Sequence, residues 1–198
     1  ISGVVASGYS FTRGGDRLSW ENAEGVQRWA WAFGVDYDFR DIMGMELVDG
    51  RDFDRSLTTD PTSSVLVNES LVKEFGLETP IGHKLNGWAT WFMKEPPTIV
   101  GVVRDFNFES LHEPVRPAVL TMHPEYHGGI GAILVKMKSG NLSETMELLE
   151  EEWRGVAPDS PFSFSFLEDD IANQYQAERR WAQIIGYASG LAILIACL

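Results

Sequence analysis

The residues of this chain that could do chemistry are few, and their surroundings argue against most of them. His123 and His127 stand four apart with Glu125 between them, a spacing that on a helix would set two imidazoles on one face for a metal ion. Pro124 falls inside that interval and disfavours a regular helix, and no third ligand pattern follows, so a surface loop is expected there. Gly128-Gly129-Ile130-Gly131 lacks both the Gly-Lys-Ser/Thr ending of a phosphate loop and the spacing of a dinucleotide fingerprint, and reads as a turn. Glu168, Asp169 and Asp170 could be drawn as an acid pair or a cation site, but at a helix start their charges serve the helix dipole. No serine lies in a Gly-x-Ser-x-Gly context with a His–Asp partner, and His83 and His112 are isolated. Trp88, Trp91 and Phe92, in GWATWFMKEPP, read either as core packing of a small subdomain or as an exposed patch for a partner or apolar ligand. No catalytic set, metal site or cofactor is expected, and the chain is not expected to be an enzyme.

Bulk properties narrow the classes further. The 198 residues, 44% of them hydrophobic, are enough for one large domain or two small ones. A formal net charge of −13 opposes nucleic-acid binding, which needs a basic surface to displace counterions, and opposes adsorption to anionic lipid. The one cysteine, Cys197, excludes a disulfide frame. No signal peptide is visible, and Ile1 reads as a cut edge.

Strands are expected at residues 1–10, 26–36, 45–48, 65–67, 83–85, 98–103, 118–122, 133–137 and 162–167, with residues 11–25 as a polar loop. Residues 37–43 suit a short helix ending at Gly44. Asn68 can cap a helix over residues 69–75 that Gly76 stops. Gly101, inside the apolar run TIVGVV, implies a bulge or a close backbone approach. Asn141 and Glu144 form a capping-box-like start to a helix reaching about Arg154. Its apolar face would hold Leu142, Met146, Leu149 and Trp153, and Glu147, Glu150, Glu151 and Glu152 its other face.

The positioning element for all of this is the last stretch, residues 184–198, IIGYASGLAILIACL, which carries no charge. A helix needs roughly 20 apolar residues to cross a bilayer, so these fifteen read as the first part of a membrane span, with Trp181 and Tyr187 flanking the water–lipid boundary. The bland alternative is a C-terminal core helix of a soluble domain.

Several stretches resemble a known family. VLVNESLVKEFGLETPIGHKL and TIVGVVRDFNFESLHEPVRPAVL closely resemble the extracytoplasmic (periplasmic core) domain of MacB-like/FtsX-like ABC transporter permeases, in particular the long Bacteroidetes-type permeases. VDYDFRDIMGMELVDGRDF and the ending FSFSFLEDDIANQYQAERRWAQIIGYASGLAILIACL fit the same pattern. The most specific marks are Val67-Asn68-Glu69, Pro80-Ile81-Gly82, and Gly101-Val102-Val103 with Asp105-Phe106. The resemblance implies an α+β fold of two subdomains. Residues 1–50 and 130–167 would form a discontinuous porter-like subdomain, and residues 51–129 an inserted Sabre-like one. Residues 168–183 would be a stalk helix and residues 184–198 the start of the transmembrane helix. It also implies a cytoplasmic ATP-binding subunit as partner, a second permease copy, and mechanotransmission across the cell membrane to an extracytoplasmic substrate. Two other readings compete: a membrane-anchored ligand-sensing module of a signalling receptor, and a membrane-tethered hydrolase, for which a nucleophile–base set is missing.

Overall fold

The computed structural model describes residues 1–8, 16–21, 26–88, 95–107, 114–123, 131–137, 140–167, 169–170 and 185. The chain is mixed α+β and divides into two compact units, Ile1–Leu142 and Ser143–Leu198. In chain order the first unit runs β1 (Gly3–Ser7), β2 (Asp16–Glu21), β3 (Gln27–Gly34), α1 (Phe39–Met43), β4 (Leu47–Gly50), α2 (Asp60–Ser63), β5 (Ser64–Asn68), α3 (Glu69–Glu74), β6 (Thr98–Val103), β7 (Ala118–Thr121) and β8 (Ala132–Lys136). The helix α4 (Leu142–Val156) belongs almost wholly to the second unit.

Six strands make one mixed sheet in the order β2-β3-β7-β5-β6-β4, and β1 pairs antiparallel with β8 in a separate ribbon. The sheet joins strands from both sides of Arg51, through the parallel β3–β7 and the antiparallel β4–β6 ladders. All five residues of β5, SVLVN, are buried. That continuous apolar run is what a central strand covered on both faces requires. Val65 and Val67 point to one core with Leu71, Leu85, Trp88, Ile99 and Val119. Leu66 points the other way, to Val5, Phe33, Phe39, Val103 and Leu120.

Most expected elements are present, and three differ. Residues 16–21, expected as loop, form β2, which pairs with β3 from Asp16↔Ala32 to Glu21↔Gln27. Leu18 and Trp20 alternate in it with Arg17, Ser19 and Glu21, as an edge strand allows. Residues 83–85 make only an isolated bridge, Lys84↔Thr98. Residues 162–167 join no described ladder. Their alternation instead stacks the rings of Phe162, Phe164 and Phe166 with centroids 5.7 Å apart, and Trp153 of α4 lies 6.5 Å from Phe162. On α4 itself Met146, Leu149 and Trp153 are half-buried, while Leu142 is exposed. The stalk, residues 168–183, and the apolar tail, with Trp181 and Tyr187, fall outside the described residues apart from Asp169, Asp170 and Ile185. No described helix is long and apolar enough to cross a membrane.

Two features lock the β4–β6 side of the sheet. Gly101 faces Gly50 across the ladder, and the β5–β6 register skips one residue beside it. A Cβ on Gly101 would fall 2.2 Å from the Arg51 carbonyl oxygen and 2.8 Å from Leu66 Cδ2, so the expected bulge and the expected close approach coincide there. The second feature is Asp60, fully buried at the start of α2. Arg51 donates to both its oxygens, from Nη1 at 2.6 Å and Nη2 at 2.8 Å. The Ser64 hydroxyl donates at 2.7 Å and the Asp54 amide at 2.9 Å. Burial pushes the Asp60 carboxyl up, but these four donors and the guanidinium charge outweigh it and hold the carboxyl below its usual range.

Gly101→Ala should therefore lower stability by about 1–3 kcal/mol, read as a drop in the urea midpoint, because the neighbour that must yield is backbone. The Asp60 contribution has a pH signature. Its folded value lies below that of the unfolded carboxyl, near pH ~3.9, so the stabilisation is complete above that value and fades as pH falls through the folded one. Asp60→Asn should cost roughly 2–3 kcal/mol at neutral pH, the range for hydrogen bonds to charged groups with a half-exposed arginine left behind. The two proteins should converge in acid.

Candidate functional site

The residues that carry the family resemblance converge on one place, the junction of β5, β6 and α3. Val67 and Asn68 lie opposite Val102 and Val103 in the parallel β5–β6 ladder. Val67, Val102 and Val103 are core residues. Asn68 is fully buried at the end of β5, and its side chain has three partners. Its Oδ1 accepts from Leu71 N at 3.1 Å, capping α3, and from Ala118 N at 2.8 Å, at the start of β7. Its Nδ2 donates to the Arg116 carbonyl at 2.9 Å. One side chain thus caps a helix and holds the entry of the neighbouring strand.

Glu69 and Asp105 continue the junction. Asp105 N donates to Glu69 Oε2 at 3.1 Å, while the Asp105 carboxylate accepts from Ser70 N at 2.8 Å and Ser70 Oγ at 2.7 Å. The clasp ties the segment after β6 to the first turn of α3, where acidic groups also meet the positive end of the helix. Phe106, next in sequence, packs edge-on to Phe33 with ring centroids 6.2 Å apart. Pro80-Ile81-Gly82-His83 is a turn closed by His83 N donating to the Pro80 carbonyl at 3.1 Å, with Gly82 at φ +82° in its third position. Such a positive φ at that position is the type II geometry that glycine supplies without strain. Gly82 N then donates to Ile99 O at 2.8 Å, docking the turn on β6.

The chemistry of this junction is holding, not reacting. Ser70 Oγ contacts a carboxylate and, at 3.3 Å, the Val115 carbonyl, and no imidazole among the described residues is bonded to it. Among the described residues no cluster of three or more His, Cys, Asp or Glu could hold a metal ion. His123 is described, with its amide donating to Thr121 Oγ1 at 3.2 Å, whereas His127, Glu125 and residues 128–130 are outside the described set. Trp88 is fully buried in the core with Val65 and Leu71, so it offers no surface to a partner; Trp91 and Phe92 lie outside the described residues. The Arg51–Asp60 pair is a structural ion pair, its carboxylate buried, that the sequence did not disclose. Its signal was an Arg-Asp-Phe-Asp run followed by Asp-Pro, which reads equally well as a polar boundary.

Asn68→Ala should cost roughly 2–4 kcal/mol in urea unfolding, since it leaves two buried amides and a carbonyl without their partner. Glu69→Gln keeps an acceptor for the Asp105 amide at the surface and should change stability by less than about 0.5 kcal/mol.

Comparison with known proteins follows the same lines. No curated protein sequence matches the chain. Among solved structures, the periplasmic region of MacB from Actinobacillus actinomycetemcomitans superposes with a TM-score of 0.55 at 22% identity, covering 79% of this chain and 67% of that one. The extracellular domain of the noncanonic ABC-type transporter YknZ from Gram-positive bacteria gives 0.52 at 14% identity, over 77% and 76% of the two chains. A domain of a putative permease protein from Porphyromonas gingivalis gives 0.51 at 16% identity, over 86% and 80%. These likenesses share the fold. The family model described as the MacB-like periplasmic core domain matches residues 1–152, and the chain belongs to that family.

Proposed function

We propose that this domain is the extracytoplasmic part of an ABC transporter permease at the bacterial cell membrane, and that it transmits motion rather than catalysing a reaction. The observation that carries the reading is the family match over residues 1–152. In this reading a separate cytoplasmic subunit hydrolyses ATP, two permease copies work together, and residues 168–183 link the domain to a membrane helix that begins near residue 184. A non-catalytic lever needs a body that does not deform under load. A sheet covered on both faces and cross-tied at Asn68 and Asp60 supports that role, because packed interiors yield little to strain.

The test uses the whole permease with its ATPase in proteoliposomes. Ala177→Pro in the linking segment would kink a continuous helix, at about 3 kcal/mol or more, and should leave ATP hydrolysis in place while substrate movement falls. Unchanged coupled activity would remove the rigid-link mechanism. A histidine-kinase region in the parent protein after residue 198 would instead favour a sensor.

A further inference from the structure

We propose that an open groove beside the edge strand β4 is a docking face for a cationic, apolar segment of a partner polypeptide. The groove has a volume of about 490 Å³, within the roughly 300–1,000 Å³ of ordinary binding clefts. It exists because α3 is only six residues long: the helix sits on β5 and stops before Gly76, while β4 lies two strands away at the sheet edge. The step between them is floored by Val72, Leu77 and Val102. Val48 forms its β4 wall and is 46% exposed. Apolar surface is thus left in water at this edge of the sheet.

The rim sets the charge of the occupant. Asp49, Glu69 and Glu78 line the groove with Lys73 as the single cation, three carboxylates to one ammonium. Asp49 and Glu69 accept from the Gly50 and Asp105 amides, which orients them without cancelling their charge. A segment bearing Lys or Arg beside a Leu or similar side chain would match both the apolar floor and the acidic rim.

The form of the occupant also follows from β4. The strand has four residues, shifts register between Leu47 and Asp49, and ends at Gly50 with φ +74°, whose amide already donates to the Asp49 carboxylate. A short, bulged and charged edge is a poor template for an added strand. Docking is therefore through side chains, as one face of an amphipathic helix lies in a groove. The groove is open rather than enclosed, which suits a stretch of a longer polypeptide better than a captured small molecule. The site stands on this geometry alone, so its failure would leave the transporter reading intact.

The experiment reads the groove directly. In full-length permease held in zwitterionic nanodiscs, with Cys197 and every other native cysteine replaced by serine, Val48→Cys is labelled with a maleimide in the presence of a synthetic Leu/Lys amphipathic peptide. The peptide should slow labelling about tenfold, while its Leu/Glu counterpart should not. Labelling of Leu148→Cys, half-exposed on α4, should be unaffected. The double change Asp49→Lys/Glu78→Lys should abolish the protection at Val48→Cys. Equal slowing at both cysteines would mean adsorption to an acidic surface, and no slowing, slowing by the Leu/Glu peptide, or protection that survives the double change would equally overturn the proposal.

Discussion

A strand buried on both faces has no water to satisfy whatever polar groups lie at its ends, and β5 is such a strand. The structure meets that constraint with one buried polar side chain at each end. Asp60, bonded to Ser64 and Arg51, stands at the beginning, and Asn68 at the finish reaches α3 and β7. An unpaired buried amide or carboxylate costs several kcal/mol, so these bonds bind distant parts of the chain to a single register. Arg51 comes from the loop after β4, and Ala118 lies 50 residues beyond Asn68.

The same constraint explains why glycines matter where they do. Arg51 can reach Asp60 from a position where its own carbonyl presses on Gly101, and only a residue without Cβ leaves room. Gly82 lets its turn bring an amide to the Ile99 carbonyl, docking the turn on β6. The backbone crossing and the buried ion pair are therefore two parts of one joint. The groove lies beside β4, where the chain turns away to make this joint.

The residues on which the sequence resemblance was read build a frame. Val67, Asn68, Glu69, Gly101, Asp105 and Phe106 hold β5, β6, α3 and the segment before β7 together.

The local elements were legible wherever a single segment contained its own reason. The apolar runs of β5 and β6, the Asn68 cap, the Gly44 stop and the close approach at Gly101 could be read from residue types in order, because helix caps and strand periodicity depend on neighbours a few positions away. Reading failed where the reason lay far off in sequence. β2 is a strand because β3 pairs with it, and residues 162–167 pack their phenylalanine rings against one another instead of joining a described ladder. Asp60 makes the point most sharply: beside Pro61 it looks like a surface turn residue, and only the arrival of Arg51 across the fold makes its burial tolerable. Sequence order alone carried the elements and the family marks, whereas burial and ion pairing were decided by the tertiary fold, because the desolvation of a charge depends on which distant groups surround it.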